Sequence, residues 1–138
     1  MSESPQFRDA VTEILRTERR YAAEAYFFME RAVVFSAAHF RKPDAGPGRH
    51  LSVAELLDGI RQFALAEYGP MAFSVLRDWG VHQTLDFGQI VFILIKAEVF
   101  AAQPSDRLED FSHGFDFTEA FLAPYQVPME LPPARQLD

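Results

Sequence analysis

Apolar residues along the first forty positions recur at three- and four-residue spacing, the signature of helices with one buried face. Phe7, Val11, Ile14 and Leu15 share a side opposite Arg8, Asp9 and Glu13, which predicts a short amphipathic helix over residues 7–15. A polar break at 17–20 follows. From about 22 to 40 one stripe holds Ala25, Phe28, Met29, Ala32, Phe35 and Ser36 and a second holds Tyr26, Val33, Ala37 and Phe40. So wide an apolar face requires neighbours on two sides. Residues 42–48 carry two prolines and two glycines and read as a surface loop.

Ser52 followed three residues later by Glu55 forms a capping box, and Val53, Leu56, Leu57, Ile60, Phe63, Ala64 and Tyr68 then line one face of a helix ending at Gly69. Pro70 suits the first turn of the next helix, with Met71, Ala72, Val75, Leu76 and Trp79 inward before Gly80 stops it. Thr84 or Asp86, with Gln89, caps a segment starting near Phe87 whose residues 90–95 are apolar without interruption. Their β-branched content admits a central strand, but the cap signals and the continuation through Lys96, Ala97 and Glu98 favour a helix. Residues 99–102 and 108–112, around a turn at Gln103, Pro104, Ser105 and Asp106, read as a small β-hairpin, and 116–122 as a last short helix. Prolines at 128, 132 and 133 make 125–138 an extended or disordered tail. The expected fold is mainly α: one domain over 1–124, a compact bundle of five to six helices around Leu56, Ile60, Phe63, Leu76, Trp79, Ile90 and Leu94, with a winged-helix-like hairpin as a variant.

Composition sharpens this. Of 138 residues 49% are hydrophobic and fourteen are Phe, too apolar for a disordered chain and more aromatic than so small an interior easily absorbs. The surplus points to self-association or a protein partner. Without cysteine, disulfides, thiolate zinc sites and cysteine nucleophiles are excluded. The first five residues lack a signal-peptide pattern and no apolar run spans a membrane, so a cytoplasmic protein with no membrane contact is expected. The net charge of −7 is uneven: residues 1–69 carry 9 basic and 10 acidic side chains, residues 70–138 carry 4 and 10. The second half repels a phosphate backbone.

Candidate chemistry is sparse. His39, His50, His82 and His113 are scattered, none at the i, i+4 spacing of a helical metal site, although His50 and His82 can be imagined meeting Asp86 or Glu98 in a small-ligand or metal-assisted site. Asp106, Glu109, Asp110, Asp116 and Glu119 are rich in oxygen donors but lack calcium-loop order, and helix capping explains them equally. No phosphate-cradling glycine loop and no nucleophile elbow are present, so no metal or cofactor is expected. The helices on either side of Gly80 suggest a helix-turn-helix. Its second helix, however, offers only Gln89 to a groove, and a nucleic-acid surface needs Arg41, Lys42, Arg49 and Arg61 to converge. Trp79, Phe73, Phe92 and the aromatic stretch 111–121 are partner-surface candidates or core.

The run from His50 through Ser52, Glu55-Leu56-Leu57, Gly59-Ile60-Arg61, Gly69-Pro70-Met71, Val75-Leu76, Trp79-Gly80-Val81, Thr84, Asp86-Phe87-Gly88 and Ile90-Val91-Phe92 resembles a small bacterial protein family of unknown function. Glu109-Asp110-Phe111 and 116–121 extend the resemblance. It implies a single domain of about this length and assigns no residue a role. The function expected from all of this is a non-enzymatic protein–protein interaction or assembly module, in a homo-oligomer or with another protein. A small-ligand or metal-dependent site near His50 and His82, or a winged-helix-like nucleic-acid binder, is the alternative.

Overall fold

The computed structural model describes residues 4–44, 46–101 and 107–126. Five α-helices account for most of them: α1 Pro5–Thr17, α2 Ala23–His39, α3 Val53–Tyr68, α4 Ala72–Asp78 and α5 Thr84–Lys96. Short 3-10 turns at Gly69–Met71, Leu108–Phe111 and Ala123–Tyr125 and a π turn at Thr118–Leu122 complete the fold. Among the described residues there is no strand, and no helix is long and apolar enough to cross a membrane.

Helix α2 is the spine. It buries Ala25, Tyr26, Phe28, Met29, Ala32 and Ser36, the two-sided face its sequence predicts, against α3 on one flank and α5 on the other. Helices α2 and α3 run antiparallel: Arg31 reaches Tyr68 while Lys42 reaches Glu55. Their crossing is close because small residues meet there. Ser36 turns its hydroxyl back onto the Ala32 carbonyl at 2.7 Å, and a methyl added at Gly59 would overlap the Ser36 Oγ. Of the expected core, Leu56, Ile60, Leu76, Ile90 and Leu94 are buried, whereas Phe63 and Trp79 are half-buried against it.

Residues 90–95 are helical. Helix α5 begins at Thr84, so Asp86 is not its cap but its third residue, a carboxylate in the first turn. Phe92, Ile93 and Ile95 are half-buried, and Ile90, Val91 and Leu94 face inward. The half-buried stripe α5 leaves, Leu85, Gln89, Phe92 and Ile93, carries no basic side chain for a nucleic-acid groove. Pro70 lies in the 3-10 turn rather than in α4, which leaves Met71 59% exposed instead of inward. The second arm of the expected hairpin is the 3-10 turn Leu108–Phe111, because Phe111 plugs into the surface of α5 above Gly88 instead of alternating along a strand. The hairpin's turn at 103–106 and the tail beyond Gln126 lie outside the described residues.

Candidate functional site

Chain reversal after α2 builds one wall of a cleft. Arg41 takes a left-handed conformation (φ 55°), and the Lys42 N–H returns to the Ala37 carbonyl at 2.8 Å. The reversal delivers the Lys42 ammonium to Glu55, 3.0 Å away in the first turn of α3. Glu55 Oε1 also accepts the Ser52 N–H at 2.9 Å, while Ser52 Oγ accepts the Glu55 N–H at 3.0 Å. The Ser52 N–H bond and then Lys42 hold the Glu55 carboxyl below the usual carboxylate range. One turn on, Asp58 accepts from Arg61 at 2.8 Å and from Gln62 at 2.9 Å, and these donors, Arg61 first, lower its pKa. Gln62 in turn lies 3.3 Å from His39, whose ring stacks on Phe35.

The facing wall is the 3-10 turn Leu108–Phe111 and the segment that follows it. It is fixed from below, where the Thr84 hydroxyl donates to the Phe111 carbonyl at 2.6 Å and Ser112 Oγ donates to the Glu109 carbonyl at 2.7 Å. Asp110, His113, Gly114 and Phe115 thereby face Lys42, His50, Glu55, Asp58 and Arg61 across an open space of about 910 Å³ floored by Val53, Leu57 and Phe115. Two ion pairs close on themselves within this cleft. His50, His113 and Asp110, all exposed, make no side-chain hydrogen bond to another described residue.

The other residues singled out from sequence do not join them. His82 lines a separate, smaller hollow of about 370 Å³ with Arg77, Gln83, Ser112 and Asp116. Asp86 is buried beneath it: its carboxylate accepts the Tyr21 hydroxyl at 2.6 Å and the backbone N–H groups of His82 and Gln83 at 2.8 and 3.2 Å. Those three donors make it a clamp between the α1–α2 connection and the start of α5. Glu98 is exposed at the end of α5 in a left-handed conformation (φ 66°). The four groups of the imagined enzyme site share no pocket. Of the basic set, Lys42 and Arg61 reach the cleft already paired, Arg49 lines an adjoining groove, and Arg41 is exposed at the chain reversal after α2. Within the acidic set, Asp116 caps the N–H of Glu119 at 3.1 Å, Glu109 pairs loosely with Arg107, and Asp106 lies outside the described residues. No three His, Asp or Glu among the described residues are close enough to share a metal ion.

Sequence reading missed two arrangements. Asp58 and Arg61 were visible as an i, i+3 pair of opposite charge, but Tyr21, at the edge of a polar break, gave no sign that it would be 2% exposed and bound to an aspartate sixty-five positions on. Of the fourteen Phe none is exposed, and many pack ring on ring: Phe7 meets Phe27 and Phe100, Phe92 meets Phe111, and two larger clusters form. Phe28, Phe35 and Phe63 meet Tyr68 and Trp79 on one side, and Phe87, Phe115, Phe117 and Phe121 meet on the other. The large hydrophobics that are exposed, Val34, Met71 and Tyr125, include no Phe.

Set against protein-family models, curated proteins and solved structures, the chain gives no match. The resemblance drawn from residues 50–121 rests on those residues alone.

Proposed function

We propose that this chain is a non-enzymatic interaction module whose recognition surface is the cleft between α3 and the segment 110–115, rather than an apolar face. One observation carries the reading: the cleft's cations and two of its carboxylates are engaged with each other, while His50, His113 and Asp110 stand open on both walls. Closed ion pairs are poor acids, bases and nucleophiles, but they present fixed donors and acceptors of both signs to a partner. A partner chain that inserts a polar side chain here reads position and charge without chemistry. The same surface disfavours nucleic acid, since Lys42 and Arg61 are already compensated.

Site-specific photocrosslinking in the native host tests this. A photoreactive residue at Ala54, exposed on the cleft rim, is expected to give one protein adduct of discrete mass that Arg61→Glu abolishes, and a probe at exposed Val34 gives none. Equal adducts from both positions, or adducts indifferent to Arg61→Glu, would contradict the proposal.

A further inference from the structure

Two charges of opposite sign line the hollow that His82 rims, and they do not pair. Arg77, in the last turn of α4, holds its guanidinium over the Phe73 ring, 5.6 Å from the ring centre, and forms no ion pair with a described residue, its neighbour Asp78 included. Asp116 reaches the same hollow from the segment after the 3-10 turn Leu108–Phe111. It too lacks an ion pair with a described residue: one carboxylate oxygen accepts the Glu119 N–H at 3.1 Å, and the other is uncommitted among the described residues. In the cleft the outcome is different, because Lys42 closes on Glu55 and Arg61 on Asp58. Here an aromatic face keeps the cation on one wall and a backbone N–H keeps the anion on another, so each charge is held in place and neither is neutralised.

The remainder of the hollow is apolar at its base. Val81 and Phe117 are buried there, and Phe73 and Phe115 are half-buried. Two of its polar groups are already spent, the Thr84 hydroxyl on the Phe111 carbonyl and the Ser112 hydroxyl on the Glu109 carbonyl. The Thr118 hydroxyl, beside Asp116 in sequence only two positions on, makes no hydrogen bond to another described residue. At about 370 Å³ the space falls at the small end of ligand sites, which run from about 300 to 1,000 Å³, and it admits one small molecule rather than a chain segment.

We infer that this hollow is a binding site for a free α-amino acid with an apolar side chain. Its carboxylate pairs with the Arg77 guanidinium, whose planar fork matches two oxygens, its ammonium pairs with the open oxygen of Asp116, and its side chain lies on Phe73, Phe115 and Phe117. The class follows from the charges. A simple carboxylate gains Arg77 and is repelled by Asp116; a simple amine gains Asp116 and is repelled by Arg77. A small molecule carrying both signs is attracted twice, and the aromatic base rewards an apolar substituent between them. The hollow and the cleft share one lining residue, Phe115, and occupancy of the hollow is read by direct binding. Failure here leaves the cleft reading standing, and the reverse holds too.

NMR titration of the full chain with L-phenylalanine tests the site. The backbone amides of residues 82–84 and 115–118 are expected to shift and saturate, while those of residues 8–14 stay unmoved. N-acetyl-L-phenylalanine keeps the carboxylate and L-phenylalaninamide keeps the ammonium, and each is expected to bind at least about tenfold more weakly, the loss that one charge-assisted bond corresponds to. Arg77→Gln should erase the preference over the amide. Asp116→Asn, which still accepts the Glu119 N–H, should erase the preference over the acetyl form. Both side chains are exposed, so a spectrum unchanged elsewhere certifies the fold of each variant. The absence of a saturable shift at millimolar L-phenylalanine, equal affinity for either single-charge analogue, or preferences indifferent to the two substitutions would overturn the inference.

Discussion

Tyr21 and Tyr26 invite the same substitution with opposite results. Both rings are buried, 2% and 0% exposed, with centres 6.4 Å apart. The Tyr21 hydroxyl makes a charge-assisted bond to Asp86 at 2.6 Å, whereas the Tyr26 hydroxyl has no hydrogen-bond partner among the described residues. Tyr21→Phe removes one of three donors from a carboxylate that is 9% exposed, and the His82 and Gln83 N–H groups remain. A bond to a charged group contributes about 1.5–3 kcal/mol, and the two surviving donors keep the loss near 2. For a domain of this size that lowers Tm by roughly 8 °C. Tyr26→Phe removes a polar group that folding strips of water without recompense, so the variant should match the parent or exceed it by about 1 kcal/mol. Urea unfolding at pH 7, with unchanged m values, measures both. A Tyr21→Phe protein within 0.5 kcal/mol of the parent, or a Tyr26→Phe protein weaker by more than about 1 kcal/mol, refutes the reasoning.

The same pair sets the alkaline limit. Burial, then the Asp86 bond, pushes the Tyr21 phenol far up, and burial, then the Glu18 charge, takes Tyr26 to about 12. A folded pKa raised above the unfolded value near 10 gives stability that is fully present below pH 10 and lost as pH rises. Between pH 10 and 12 each group should remove on the order of 1 kcal/mol per pH unit, and each Phe variant should lose half of the slope. Of the four tyrosines, absorbance at 295 nm should show these two ionising only as the protein unfolds.

At acid pH the sign reverses. Glu55 and Asp58 have depressed folded pKa values, so their stabilisation is present above the unfolded carboxylate range and declines below about pH 4; Glu55→Gln should flatten that decline in an acid titration followed by circular dichroism. Gly59→Ala should cost about 1–3 kcal/mol by forcing α2 from α3, and Ser36→Gly in the same chain should restore much of it; an additive double variant would contradict the close crossing. Arg41 and Glu98 end their helices at positive φ without being glycine, so Arg41→Gly and Glu98→Gly should each raise stability by about 1 kcal/mol, read as Tm.

Helix α3 and the end of α4 were legible from their punctuation, whereas α2, with no side-chain cap, was legible from its apolar stripes alone. Ser52 and Glu55 make the capping box their spacing announces, and Gly69 and Gly80 sit at positive φ where helices stop. The class of the 90–95 run was decided by its flanks, since its apolar residues suit either structure. The hairpin failed because alternation along 108–112 is too short to outweigh one large side chain: Phe111 finds its place over a glycine of α5, and no local pattern records where that glycine will be. The cleft is non-local in the same way. Lys42 and His50 are linked to α3 by a loop, but Asp110 and His113 arrive only after α5 has been packed.

Where the titratable groups ended up also bears on what this fold is for. The most deeply placed carboxylate, Asp86, receives three donors and binds two segments together, which fixes its position. A general base must do the reverse, presenting an unsatisfied acceptor to a substrate. Asp58 and Glu55 are likewise engaged, each by two donors of this chain. The groups left open, His50, His113 and Asp110, are exposed on the two walls of a wide cleft, where solvent screens their charges. On the interaction reading proposed above, these open groups are the ones a partner meets. His50→Ala with His113→Ala should therefore leave Tm within about 1 °C while lowering the yield of the Ala54 crosslink, and a large loss of Tm would place those imidazoles in the fold instead.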